Sequence, residues 1–238
     1  MDYTAVITGG NKGIGADLAQ AMLQRGWQVV SLARHKGEAE GVEHVICDLS
    51  DPDAVASTAA ELAARHQVTH FVHNAGIILP NLIEDATPQD MQVLTQLHLG
   101  AALTLTQAFL PAMKAQRFGR VLFNASRAAL GARTRTAYSA SKAGMIGMAR
   151  TWALELAEHG ITVNVVAPGP ILTDNFWGIV PKDSPQQQDL AQRIPVGRLG
   201  TVADVTRAFM FLADPEAGFI TGQTLFVCGG ASIGTVPI

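Results

Sequence analysis

The chain has 238 residues, of which 48% are hydrophobic and 16% are charged, and its net charge at pH 7 is −3. This composition fits one α/β domain with a large core, and the slightly acidic balance is not that of a nucleic-acid-binding protein. We expect no membrane span, no signal peptide and no metal site, and two reduced cysteines, Cys47 and Cys228, in a cytoplasmic protein.

The first 33 residues predict a dinucleotide-binding unit, in which a strand, a glycine-rich turn, a helix and a second strand follow one another. In that turn Gly9 allows the sharp bend, Gly13 lets the backbone approach a pyrophosphate and Gly15 lets the helix pack on the sheet. The segments are Thr4 to Thr8, Gly9 to Gly15, Ala16 to Arg25 and Gln28 to Ala33.

Two cations mark the expected ribose end of this unit. The second strand ends at Ala33-Arg34, where a carboxylate would select NAD, and Lys12 lies in the glycine turn. A guanidinium and an ammonium there favour the 2′-phosphate of NADP(H) over NAD(H). Each cation taken alone also fits an ordinary solvated surface charge.

The remaining pattern alternates strands and helices and predicts one doubly wound, Rossmann-type domain with about seven parallel strands and helices on both faces. A third strand ends before Asp48-Leu49, where Asp48 is a candidate contact of the adenine amino group. Asp48 or Ser50 is also a candidate cap of the next helix, and both roles can hold together. The further segments are strands Val42 to Cys47, Thr69 to His73, Gly119 to Ala125, Ile161 to Ala167 and Gln223 to Cys228, and helices from Pro52 to His66, Pro88 to Gln116, Tyr138 to His159 and Val202 to Leu212.

Residues 174–193 differ from this alternation, because they mix aromatic residues, prolines and glutamines. A segment of this length after a strand end favours a substrate lid with short helices. Phe176 and Trp177 are its candidate substrate contacts. The apolar tail, 231–238, is a candidate subunit contact.

A possible catalytic group lies on the helix after the fifth strand. Tyr138 and Lys142 are four residues apart and therefore share one helix face. An ammonium near a phenol favours the phenolate, so we expect the Tyr138 pKa to fall towards neutral pH, which suits alcohol and ketone chemistry. Ser126 stands at the end of the fifth strand, twelve residues before Tyr138.

Taken in order, these motifs resemble the classical short-chain dehydrogenase/reductase family over nearly the whole chain. The matching residues are Gly9, Gly13, Ile14, Gly15, Asp48, Leu49, Asn74, Ala75, Gly76, Ser126, Tyr138, Lys142, Pro168, Gly169, Thr173, Gly229 and Gly230.

The resemblance implies a role for each of these positions. Tyr138 is expected to be the general acid/base, Lys142 to lower its pKa and hold the nicotinamide ribose, and Ser126 to polarise the substrate oxygen. The implied cofactor contacts are Gly9, Asn11, Lys12 and Ile14 at the phosphates, Asp48 and Leu49 at the adenine, Asn74 at its ribose, and Ile171 and Thr173 at the carboxamide.

The chain departs from the family pattern at three points. His98 occupies the position of a helix asparagine that helps to hold a water in the proton relay; it either binds that water, titrates near neutral pH, or is a buried neutral histidine. The Ser126 to Tyr138 spacing is one residue shorter than usual. The crossover from Lys36 to Glu43 is also short.

Three arginines, Arg127, Arg133 and Arg135, lie in the loop between Ser126 and Tyr138. They either recognise an anionic substrate group or face solvent or another subunit. The resemblance further implies a homotetramer or homodimer acting on a small carbonyl or alcohol. The alternatives are an NAD-dependent alcohol or cyclic-diol dehydrogenase and a weakly catalytic, cofactor-binding sensor.

Overall fold

The computed structural model of the chain describes residues 2–178 and 180–233. Its strands form one sheet in the order β3-β2-β1-β4-β5-β6-β7, with every neighbouring pair parallel. This confirms the predicted Rossmann-type fold. The strands are β1 (Thr4–Thr8), β2 (Gln28–Ala33), β3 (Val42–Ile46), β4 (His70–His73), β5 (Gly119–Asn124), β6 (Ile161–Pro168) and β7 (Thr224–Val227).

The helices cover both faces of this sheet and agree with the predicted segments to within a few residues. They are α1 (Gly13–Gln24), α2 (Pro52–Arg65), α3 (Pro88–Thr95), α4 (Ala101–Gln116), α5 (Thr136–Leu156), α6 (Asp174–Trp177), α7 (Pro185–Gln192) and α8 (Val202–Ala213). Short 3₁₀ turns follow β5 (Arg127–Leu130) and α5 (Ala157–His159).

Alternate residues of each strand point into two different cores, as the pleat of a strand requires. Val6, Phe71 and Val121 belong to the core under α2, α4 and α5, whereas Ile7 and Val72 belong to the core under α1 and α8. All are fully buried. The continuous apolar strands of the sequence are thus explained by burial on both faces.

The strand order reverses at β1, which pairs with β2 on one side and β4 on the other. In open α/β sheets a crevice forms at this point, beyond the carboxyl ends of the strands. The loops after β1 and β4 therefore face each other across the place where a ligand is expected.

The long helix predicted from Pro88 to Gln116 is interrupted. Residues Gln96–Gly100 form a π-helical turn between α3 and α4, in which the Ala101 N–H bonds to the Gln96 carbonyl. By length and composition Pro88–Gln116 would suffice to cross a membrane, but 44% of its most apolar window is buried in the fold. The segment is a core helix, with Leu105 and Phe109 packed inside.

The cap of α2 also differs from expectation. Asp51, rather than Asp48 or Ser50, accepts hydrogen bonds from Asp53 N at 3.0 Å and Ala54 N at 3.1 Å. The reason is local, since Pro52 occupies the first helical position and places the N-cap directly before it. The alternative role of Asp48 as a helix cap is therefore wrong.

Candidate active site

A cavity of about 540 Å³ lies at the carboxyl edge of the sheet, where the strand order reverses. It collects most of the predicted site residues. Those that line it are Gly9, Asn11, Lys12, Gly13, Ile14, Arg34, Asp48, Leu49, Asn74, Ala75, Gly76, Ser126, Arg127, Tyr138, Lys142, Pro168, Gly169, Ile171, Thr173 and Phe176.

Three predicted residues lie outside the cavity lining. Gly15 is buried behind the glycine turn, and His98 is fully buried behind Gly76. Trp177 packs edge-on against Phe176, with ring centroids 5.2 Å apart, and Lys182 lies over its ring. A substrate contact by Trp177 stays a prediction.

The glycine turn is held against the end of β4 by Asn74. Its Nδ2 donates to the carbonyls of Thr8 and Gly9, both at 3.1 Å. A Cβ on Gly15 would lie 2.6 Å from this Nδ2 and closer still to the Gly9 carbonyl. Gly15 is thus needed for the close approach of α1 to the sheet, as predicted.

The N-terminus of α1 opens onto the cavity, which Gly13 and Ile14 line. Lys12 is the N-cap and makes no side-chain cap bond, and the first turn contains no acidic residue. A helix start of this kind presents N–H groups and a partial positive charge to an anion.

Arg34 and Lys12 border this end of the cavity and are both exposed. Within the described residues neither forms an ion pair. His35 also lines this end, and nothing in the sequence pattern marked it. Asp48 is tied to Ser50, whose hydroxyl donates to it at 2.7 Å, and this bond lowers the pKa of Asp48.

Ser126 and Tyr138 meet at the opposite end of the cavity. Ser126 begins the 3₁₀ turn after β5, where its Oγ accepts from Ala128 N at 3.1 Å. Burial raises the pKa of Tyr138 above its usual 10, while a hydrogen bond from the Ser126 side chain and the charge of Arg135 act to lower it. The short spacing between the two residues is therefore no obstacle to their contact.

Lys142 lies one helical turn from Tyr138 and is 2% exposed. Its Nζ donates to the main-chain carbonyl of Asn124 at 2.6 Å and lies 5.6 Å from the centre of the Tyr138 ring. Burial lowers the Lys142 pKa to about 7. The expectation that the Tyr138 pKa falls is wrong for this structure, because burial of the phenol outweighs the groups that lower its pKa.

Asn124, at the end of β5, was not singled out by the sequence. Its carbonyl holds Lys142, and its Nδ2 donates to Asn74 Oδ1 at 2.8 Å. Asn124 thus joins the Lys142 end of the cavity to the Asn74 side chain that holds the glycine turn. The sequence feature that could have identified Asn124 is a polar side chain at the carboxyl end of a central strand.

His98 lies on the π-helical turn, and its Nδ1 is 2.8 Å from Ser141 Oγ. Its ring is edge-on to Tyr138, with centroids 5.7 Å apart. Burial, and then the charge of Lys142, lower the His98 pKa far below 6.5. Titration of His98 near neutral pH, one of the expectations, is therefore wrong, because the buried ring is neutral; a role of His98 in holding the relay water stays a prediction.

The arginine loop carries a strained residue. Thr134, between Arg133 and Arg135, has φ of 65°, which is unusual for a β-branched residue. Its carbonyl accepts from Asn81 N at 3.1 Å, and its hydroxyl accepts from Arg135 Nη1 at 2.7 Å. Arg127, Arg133 and Arg135 all line the cavity. Strained backbone of this kind is typical of functional sites.

Comparison with known proteins places this geometry in context. A family model described as enoyl-(acyl carrier protein) reductase matches residues 9–232. The chain is 37% identical to the 3-oxoacyl-(acyl-carrier-protein) reductase MabA of Mycobacterium bovis, covering 98% of this chain and 94% of that protein. It is 34% identical to the (2S)-((R)-hydroxy(phenyl)methyl)succinyl-CoA dehydrogenase subunit BbsD of Thauera aromatica, covering 98% of both.

Among solved structures, a putative NAD(P)-dependent gluconate 5-dehydrogenase from Beutenbergia cavernae with bound NADP superposes with a TM-score of 0.89. It is 33% identical, and the match covers 98% of this chain and 97% of that one.

Proposed function

Because this chain belongs to the short-chain dehydrogenase/reductase family of oxidoreductases, we propose that it reduces a ketone to a secondary alcohol with NADPH, using Ser126, Tyr138 and Lys142. The observation that carries the proposal is their convergence. These three side chains line the same cavity as the open N-terminus of α1 and the cations Lys12 and Arg34.

The residues at the α1 end fit NADP(H). The backbone donors of the glycine turn suit the pyrophosphate, and the two unpaired cations suit a 2′-phosphate. The similar structure of the gluconate 5-dehydrogenase from Beutenbergia cavernae, which contains bound NADP, supports this choice. When bound, NADPH would supply the hydride. Asp48 and Leu49 would hold the adenine, Asn74 its ribose, and Ile171 and Thr173 the nicotinamide end.

Tyr138 would donate the proton to the substrate oxygen. Its raised pKa keeps the phenol protonated at neutral pH, as an acid requires for the reducing direction. Ser126, which lines the cavity with Tyr138, would hold the same oxygen and orient it. Lys142 would stabilise the phenolate that remains after transfer.

The names of the curated relatives favour a thioester substrate, since one is a 3-oxoacyl-carrier-protein reductase and another acts on a succinyl-CoA derivative. The guanidiniums of Arg127, Arg133 and Arg135 line the cavity with Ile77 and Phe176 and form no ion pair with any described residue, so they suit a molecule with an anionic group near its ketone. We infer that residues 174–193 cover it as a lid.

The experiment is a screen of NADPH and NADH oxidation with 3-oxoacyl thioesters, neutral ketones and keto acids. We expect turnover of a carbonyl compound with NADPH preferred. Oxidation of cyclic diols with NAD⁺ alone would instead support the diol dehydrogenase, and cofactor binding without any turnover would support the sensor. A homodimer or homotetramer and a cytoplasmic location stay predictions.

A further inference from the structure

Ser141 determines which nitrogen of His98 carries the proton. The Ser141 Oγ lies 3.0 Å from the main-chain carbonyl of Tyr138 and 2.8 Å from His98 Nδ1. A carbonyl only accepts, and a serine hydroxyl has one proton to give. Both bonds therefore form only if Ser141 donates to the Tyr138 carbonyl and His98 donates from Nδ1 to Ser141.

The other nitrogen, Nε2, is then left with its lone pair. Among the described residues no group bonds to Nε2, and His98 is 0% exposed. A Cβ placed on Gly76 would lie 2.9 Å from His98 Nε2 and 3.4 Å from Lys142 Nζ. The lone pair and the lysine thus border the same small space beside Gly76, which faces the cavity.

The Nδ1 side of His98 cannot pass a proton onward. Its hydrogen bond leads to Ser141 and then to the Tyr138 carbonyl, which has no proton to release. The cationic and ionisable groups facing the ring are Lys142 and Tyr138 from α5 and His73 from β4. Burial of the ring, and then the charge of Lys142, lower the His98 pKa, so the ring stays neutral.

We propose that Ser141 is a positioning residue that locks His98 in the Nδ1–H tautomer, so that Nε2 is a fixed hydrogen-bond acceptor beside Lys142 and His98 itself does not relay protons. This rests on the proposed function of Tyr138 and Lys142. In the opposite tautomer an N–H would face the ammonium, and two donors would compete for one small space.

The tautomer is measured first, without substrate or cofactor. Nitrogen NMR of protein labelled with ¹⁵N-histidine distinguishes a protonated Nδ1 from a protonated Nε2, and the signal that disappears in His98→Asn identifies the residue. We expect the proton on Nδ1 in the unaltered protein. A proton on Nε2 overturns the proposal and leaves the proposed function unaffected.

Turnover then tests the consequence. Ser141→Ala should shift the His98 tautomer and lower kcat by roughly 2- to 10-fold, the effect of losing one hydrogen bond between neutral groups, with KM changed less. Ser141→Thr, which keeps the hydroxyl, should restore both readouts. Ser139→Ala, on the same helix with an Oγ that bonds to no described residue, is the matched control and should change neither.

His98 variants test the acceptor. His98→Leu removes it, whereas His98→Asn supplies an amide oxygen, so His98→Leu should lose more kcat than His98→Asn. No His98 pKa should appear in the pH profile of kcat. Equal kcat in Ser141→Ala and the unaltered protein, or equal losses in the two His98 variants, would refute the proposal.

Discussion

The ammonium of Lys142 donates a hydrogen bond to the main-chain carbonyl of Asn124, with a nitrogen–oxygen distance of 2.6 Å. Lys142 is buried, and its hydrogen-bond partners in the described part of the chain, Asn124 and Met145, include no carboxylate that would favour its charged form. Burial therefore lowers its pKa to about 7. The residue that we propose stabilises the phenolate is therefore held where its charged form is disfavoured.

The first prediction follows from this pKa. The Lys142 pKa in the fold, about 7, is below the unfolded value of 10.5, so between these values the unfolded chain binds more protons. Lys142 then contributes stability that grows as pH rises through this window and is lost as pH falls through 7. Relative to Lys142→Met, the free energy of unfolding in urea should rise with pH, by at most about 1.4 kcal/mol per pH unit. Parallel pH curves would contradict the lowered pKa.

The second prediction concerns Tyr138. Tyr138→Phe removes the proton donor and should lower kcat by about 10²- to 10⁴-fold, the usual contribution of general acid catalysis, while NADPH binding by fluorescence titration changes little. Tyr3→Phe is a matched control, because Tyr3 packs against Trp27 and Phe118 outside the cavity lining. Equal turnover in Tyr138→Phe and Tyr3→Phe would remove Tyr138 from the reaction.

The third prediction concerns cofactor choice. Arg34→Asp replaces an unpaired cation by an anion and should weaken NADP⁺ binding by about tenfold or more, with little effect on NAD⁺, because the two differ in the 2′-phosphate. Isothermal titration with each cofactor measures this. Lys114→Asp, an exposed charge reversal outside the cavity lining, is the control and should leave both affinities unchanged. The same loss for both cofactors would show that Arg34 does not contact the phosphate.

The fourth prediction compares two helical glycines. Gly15→Ala places a Cβ against Gly9 and Asn74, and should destabilise the protein by about 1–3 kcal/mol and weaken cofactor binding. Gly147→Ala meets no atom within 4 Å and should be neutral or stabilising by up to about 1 kcal/mol. The free energy of unfolding in urea is measured for both variants. Equal changes in the two would show that the loss of a helical glycine, and not the close packing at Gly15, causes the effect.

The sequence alone determined the fold and most of the cavity lining. The strand, glycine turn and helix of the first 33 residues, and the four-residue spacing of Tyr138 and Lys142, are local patterns. Local patterns decide which side chains share a helix face or a strand end, and the parallel sheet brings those strand ends to one edge.

Only the tertiary structure decided the electrostatics and the hydrogen-bond partners. The sequence predicted a lowered Tyr138 pKa from Lys142, but the burial that outweighs it depends on packing by distant segments. Residue spacing also does not predict the π-helical turn at His98 or the hydrogen bond of His98 to Ser141, which lies 43 residues away in the chain. Desolvation and side-chain partners depend on which segments meet in three dimensions, which a pattern along the chain does not contain.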